Sequence, residues 1–424
     1  MSSVSESATT PAAGETFRVL AAASIGNALE WYDILVYGYF AVTISKLFFP
    51  NADQTVSLLL ALGTFGVSYI VRPIGAVVLG AYADRAGRKA SMLASIVLMT
   101  IGTGMMAVMP TYGAIGLLAP IGVLIARLIQ GFAVAGEFGS ATAFLVEHSS
   151  DRKGFFASFQ WFGQGLAAML ASLFGLVLTS LLTERQLLDW GWRVPFVFGL
   201  LIGPVGLYIR RRVNEAPEFL DSLRSHTPVR DLVVGQWRRL VLTIGLIVIS
   251  TSANYILLYM PTFAIRELHL SQSVGFAATT IGGLLLAVGA PFFGHLSDRL
   301  GRLPMMAAVC LLFAISAWPA FRLLVASPSL LSITTIVCWL SLLKAAYSGV
   351  LPAAMAELFP TETRSTGLAL SYNVAVPIFG GFAPAIAAWL VKSTGSNLAP
   401  SYYLVATALV SLSAVVAIGR ARSA

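Results

Sequence analysis

Apolar runs of roughly twenty residues, the length at which a helix crosses a bilayer, recur along the whole chain. The pattern predicts twelve helices, near 19–44, 55–81, 91–109, 114–146, 154–182, 194–213, 239–265, 274–296, 304–325, 330–356, 365–391 and 401–419. Polar residues gather in the short connections between runs, with one longer stretch from Arg210 to Arg239 after the sixth. The predicted organisation is therefore a tail over 1–17, a six-helix half over 18–213, a basic linker over 214–238 and a second six-helix half over 239–424.

The placement of Lys and Arg predicts the orientation, because short cytoplasmic connections retain positive charge. About eighteen lie in the tail, the linker and the connections on that side, and about six lie in the connections on the other. Both termini are thus expected in the cytoplasm. The first seventeen residues are rich in Ser, Ala and Thr and lack a basic start followed by a short apolar run, so no cleavable signal peptide is expected.

An internal repeat supports the division into halves. Gly80 to Arg88 after the second run and Gly294 to Arg302 after the eighth both read G-x-x-x-D-R-x-G-R, with Asp84, Arg85 and Arg88 matching Asp298, Arg299 and Arg302. Duplicated halves of this kind place the substrate at their interface, near the bilayer midplane.

These segments resemble the signature loop of the major facilitator superfamily. Further segments resemble its metabolite:proton symporter family: Gly26-Asn27-Ala28-Leu29-Glu30-Trp31-Tyr32-Asp33 with Tyr37-Gly38-Tyr39-Phe40, Arg72-Pro73-Ile74-Gly75, and Arg127 to Gly139. Asn214 to Phe219 and Glu357 to Gly367 carry the likeness into the second half, and it is nearest to the citrate and tricarballylate branch. The resemblance implies an all-α fold of twelve transmembrane helices in two pseudo-symmetric halves, and alternating-access transport without a cofactor. It also implies that the loop of Asp84, Arg85 and Arg88 is a latch that breaks and reforms in each cycle.

Composition narrows the classes. Hydrophobic residues are 57% of the chain and charged residues 11%, against about 45–50% and about 25% in soluble domains. Lipid is the expected solvent. The formal charge of +8 comes with no basic helix or stacking platform, so nucleic acid is not expected as a partner. Cys310 and Cys338 sit in apolar runs and read as small core residues. The four histidines, His148, His226, His269 and His295, lie at run ends or in loops, and no hydrolase, nucleotide or zinc motif appears, so an enzyme is not expected.

Charges inside a span cost about 3 kcal/mol unless they pair or face water, and are read as functional by default. In the first span Asn27, Glu30, Asp33 and Tyr37 share one face. Glu30 and Asp33 are proton-coupling candidates; the competing role is a permanent pair with a cation such as Arg72. Arg127, Gln130 and Glu137 share a face of the fourth span. Arg127 has the planar fork that recognises a carboxylate, or it serves as partner to Glu137 or Asp33, and Glu137 is a third proton candidate. Gln160 and Gln164, one turn apart, suit either a substrate oxygen or helix-to-helix bonding. In the second half the candidates are Tyr255, Tyr259, Tyr347, Asn373 and Lys344, the last too deep for comfortable snorkelling. Tyr259 has the alternative of an interfacial belt residue.

Asp84 is placed to meet the N-terminal dipole of the eleventh helix. The expected activity is proton-coupled uptake of an organic anion, a di- or tricarboxylate, held between Arg127 and Lys344; the alternatives are a zwitterionic osmolyte such as betaine or proline, or a monocarboxylate or aromatic acid. The expected partners are that small anion, protons and the lipid bilayer of the bacterial inner membrane, with the monomer as the functional unit.

Overall fold

The computed structural model describes residues 13–86, 88–134, 139, 142, 145–146, 152–201, 203–206 and 228–423. The side chains of Asp84 and Arg88, and the whole of Glu137, lie outside the described residues. Twelve helical spans run through them: α1 (Ala13–Tyr39), α2 (Gln54–Ile70, continued by Arg72–Ala86), α3 (Arg88–Val108), α4 (Leu118–Ala133), α5 (Lys153–Leu181) and α6 (Gly191–Gly206). The second half holds α7 (Trp237–Arg266), α8 (Gln272–Leu300), α9 (Arg302–Ala326), α10 (Leu330–Ser348 with Leu351–Ala356), α11 (Thr361–Val376 through Ala383–Thr394) and α12 (Ala399–Ser423). A short helix, Pro228–Gly235, lies within the predicted linker.

Several spans predicted as unbroken are interrupted. α2 breaks at Val71 beside Pro73, α10 breaks before Pro352, and α11 contains a π turn over Pro377–Gly381. Proline removes an amide donor and crowds the preceding turn, which accounts for all three positions. Span ends are set by local chemistry. The Asp53 side chain accepts from the Thr55 amide at 2.8 Å to start α2, and Ser329 and Ser332 form a reciprocal cap on α10. The glycine of the repeated loop motif has a physical reason at Gly301, whose φ of 87° lies in the left-handed region that only glycine enters freely.

The halves meet most closely along α5 and α8. An added Cβ on Gly283 would lie 2.5 Å from the Met169 amide nitrogen, and one on Gly154 would lie 2.5 Å from the Gly294 carbonyl oxygen. At the face opposite the chain termini, Lys392 on α11 pairs with Asp53 at 2.6 Å and Arg266 on α7 donates to Gln54 at 2.5 Å. Lys392 and the Thr55 amide hold the Asp53 carboxyl down to about 2. This clasp is therefore lost only as pH falls from the ordinary carboxylate range through about 2, and it stays charged at every physiological pH.

At the termini face, the Asp298 carboxylate at the end of α8 accepts from the Gly154 amide at 2.8 Å and the Phe155 amide at 3.0 Å. It thus caps α5 of the other half, where unpaired amides and the helix dipole favour an anion. Arg302 donates to Asp298 at 3.2 Å and pairs with Glu357. Arg299 and Arg85, predicted as latch residues with Asp298, are exposed; Arg299 follows Asp298 by one residue, about 100° further around the helix. Bonded at both faces, the two halves form a closed conformation.

Asp298→Asn is expected to lower turnover severalfold while leaving equilibrium binding within about twofold, since a charge at a helix N-terminus contributes about 1 kcal/mol and touches no cavity residue. Binding measured beside flux in the same preparation checks this; unchanged flux would remove the latch.

Candidate functional site

Lys344 is drawn into the seam between the halves by its depth on α10, one turn before the first segment of that helix ends at Ser348. It is 1% exposed. Its ammonium donates to Asn254 of α7 and, at 3.2 Å across the seam, to Gln164 of α5, and lies 5.0 Å from the centre of the Trp161 ring. All three are neutral. A buried ammonium held by amide dipoles alone is under-compensated, because a buried charge normally requires an opposite one.

Beside it is a cavity of about 20 Å³ whose lining includes Tyr39, Asn254, Thr279, Ser341 and Lys344. That volume holds about one water and no multi-carbon solute. Among the described residues the lining contains no carboxylate. The cavity therefore combines one full positive charge, amide and hydroxyl groups, and apolar walls from both halves.

A second polar cluster lies wholly within the first half. Arg127, 1% exposed, donates to Gln130 at 2.8 Å and to Ser68 at 3.4 Å. Its guanidinium lies 4.6 Å from the Tyr37 ring centre and 5.1 Å from that of Phe65. Gln130 donates in turn to Thr103 of α3 at 3.2 Å, and Thr103 donates to one oxygen of Asp33. The other Asp33 oxygen has no hydrogen-bond partner among the described residues, and it abuts Gly199 of α6, where any side chain would collide with it. Asp33 and Arg127 are thus linked through Gln130 and Thr103. Arg72 is buried over Tyr69, 3.9 Å from its ring centre, with Trp31 at 5.8 Å. Tyr69 accepts at 2.6 Å from Tyr255 of the second half.

The structure separates the candidates read from the sequence. Lys344 and Gln164 come together, whereas Arg127 is absent from the cavity lining. Gln160 is spent on Asn27: its side-chain amide donates to Asn27 Oδ1 at 3.4 Å, and the Asn27 amide donates to the Gln160 backbone carbonyl at 2.6 Å, so this pair joins α1 to α5. Helical geometry explains the split. Four residues advance about 400°, and that 40° offset turns Gln160 toward α1 and Gln164 toward the seam. The Tyr37 hydroxyl donates to the Ala61 carbonyl and the Tyr347 hydroxyl to the Leu246 carbonyl, so both hydroxyls are used in packing. Tyr259 is 1% exposed and stacks near Phe263, inside the protein rather than in an interfacial belt. Asn373 is buried on α11 and Glu30 is half-buried on α1.

Asn254, Thr103, Ser68 and Trp161 were not singled out from the sequence. Asn254 carried a signal, an amide in the middle of an otherwise apolar run. Thr103 and Ser68 carried none, since a hydroxyl in a span commonly returns its proton to its own helix backbone.

The Major Facilitator Superfamily profile matches residues 23–370 and 274–423. The citrate-proton symporter of Klebsiella pneumoniae is 36% identical over 392 residues, covering 91% of this chain and 88% of that protein. The proline/betaine transporter of Escherichia coli (strain K12) is also 36% identical, over 417 residues, covering 94% of this chain and 82% of that protein. Among solved structures, a proton:xylose symporter bound to 6-bromo-6-deoxy-D-glucose superimposes with a TM-score of 0.79 at 17% identity, covering 96% of each chain.

Proposed function

The chain belongs to the major facilitator superfamily, and from that premise we propose that it is a proton-coupled importer of an organic anion of the di- or tricarboxylate class. The observation that carries this reading is Lys344, a buried ammonium at the seam of the halves whose partners among the described residues are all neutral, beside a cavity that those residues line without a carboxylate. Both 36%-identical relatives are equally similar, one named for citrate and one for proline and betaine, so the choice between them rests on the site.

A quaternary ammonium needs open aromatic faces. Here Tyr37 and Phe65 are covered by Arg127, Tyr69 by Arg72, and Trp161 lies next to Lys344. Three cations beside these rings favour an anion and repel a cationic headgroup. A second carboxylate of the same substrate reaches Arg127 only once Tyr37 and Phe65, which cover that guanidinium from within the same half, turn aside.

Asp33 is the proton carrier in this reading. Thr103 lies 3.0 Å from the Met99 carbonyl as well as against Asp33, and its oxygen also accepts from Gln130. With Asp33 ionised, Thr103 donates to it. With Asp33 protonated, the acid donates to Thr103, which turns its own proton to Met99. The Asp33–Thr103 and Gln130–Thr103 bonds persist in both states and the bond to Met99 is added when Asp33 is protonated, as a hydroxyl with one proton and two lone pairs allows. The termini face, which carries Asp298, is assigned to the cytoplasm by the positive-inside asymmetry, and the monomer is taken as the working unit.

Uptake into proteoliposomes tests this. Labelled citrate should accumulate when the exterior is acidic and should be released by a protonophore, while labelled glycine betaine should not accumulate. Accumulation of betaine without citrate would replace the anion by a zwitterion.

A further inference from the structure

We infer that Gln164 stands in for the substrate's carboxylate in the empty carrier, supplying the seam-crossing oxygen that lets the halves close on Lys344 without cargo. The inference rests on the reading of Lys344 as the anion site and assigns a separate role within it.

A symporter that accumulates its substrate must return empty after each delivery, and the return passes through a closed state. In that state Lys344 is buried, and a buried charge stripped of its partner is strongly destabilising. The cavity of about 20 Å³ leaves no room for a counter-ion larger than a water. The compensation comes from two amide oxygens, which belong to different halves. Asn254 is on α7, in the same half as Lys344, so its bond persists through any rocking of the halves. Gln164 is on α5, and its 3.2 Å bond to Lys344 exists only when the halves are closed.

The backbone fixes Gln164 at this height. Its neighbour Gly165 is pressed against Ala287 of α8, and Gly163 against Ser24 of α1, with no space for a side chain at either. A substrate carboxylate brings a full charge and two oxygens, so it displaces the neutral amide and takes over the same bridge. Asn254 is then a positioning residue that aims the ammonium, and Gln164 is the surrogate ligand.

The test uses the full-length protein in lipid nanodiscs with no substrate added, so its outcome does not depend on which anion is carried. Spin labels are placed across the halves at exposed positions in a Cys310→Ser, Cys338→Ser background: Ala52→Cys with Ser393→Cys at one face and Ala86→Cys with Thr361→Cys at the other. In the wild type the short distances of the closed form should be populated at both pairs. Gln164→Leu, which removes the bridging oxygen at similar volume, should shift the major population at one pair or the other to long distances. Gln160→Leu, which removes only the side-chain bond to Asn27 within the first half and leaves the one to the Gln160 backbone, should not. Gln164→Glu places a carboxylate against Lys344 and should sharpen the closed distances beyond wild type. Distributions in the Leu variant that match wild type would overturn the inference, as would a Glu variant that opens more readily.

Discussion

Asp33→Asn should abolish accumulation of substrate against a gradient, bringing the internal concentration down to the external one, while exchange of labelled for unlabelled substrate stays within about twofold of wild type. The reason is local. Asparagine keeps the oxygen that accepts from Thr103 and fits the same space, but its charge does not change with proton binding. The amide behaves as a permanently protonated acid, so the halves can still close over substrate yet have no proton to release. Exchange needs only the loaded carrier; accumulation needs the proton cycle. Protonophore-sensitive uptake measured beside counterflow separates the two. Intact proton coupling in this variant would move the site to Glu30, which shares the helix, and then to Glu137.

Much of this arrangement is legible in the sequence. Twelve spans, the repeat and the two deepest cations follow from run length, from G-x-x-x-D-R-x-G-R and from the scarcity of charge in lipid. Lys344 is visible because one ammonium in the middle of an apolar helix is too costly to be accidental. What sequence does not fix is which neighbouring helix each polar residue meets. Gln160 and Gln164 are chemically identical and one turn apart, yet one bonds α1 and the other bridges the halves. The 40° between them decides it, and helix packing sets that angle.

The same limit applies to Arg127. Its position on the fourth span, equivalent by the repeat to that of Lys344 on the tenth, makes a shared anion site attractive on symmetry alone. In the closed protein the two cations have separate neighbours: Arg127 faces Tyr37 and Phe65 within its own half, and Lys344 faces the seam. Asp298 caps α5 in company with Arg302 and Glu357, while Arg299 beside it in sequence is exposed. Repeats preserve backbone placement more faithfully than side-chain partners.

Lys344 carries the largest effect on binding. Truncating one partner of a buried charge pair costs about 2–5 kcal/mol, so Lys344→Ala should weaken a carboxylate ligand by at least about thirtyfold. Lys344→Met separates this from damage to the fold. Methionine fills similar volume, and replacing a buried charge by an apolar group is often neutral or stabilising. The empty Lys344→Met protein should therefore melt at or above the wild-type temperature while losing the ligand. The most direct measurement is a calorimetric titration of citrate into purified wild type, Lys344→Ala and Lys344→Met, with melting curves taken on the same samples. The predicted result is saturable binding to the wild type, none detectable in either variant, and no fall in the melting temperature of Lys344→Met. Citrate binding of wild-type affinity in the folded variants would contradict the account.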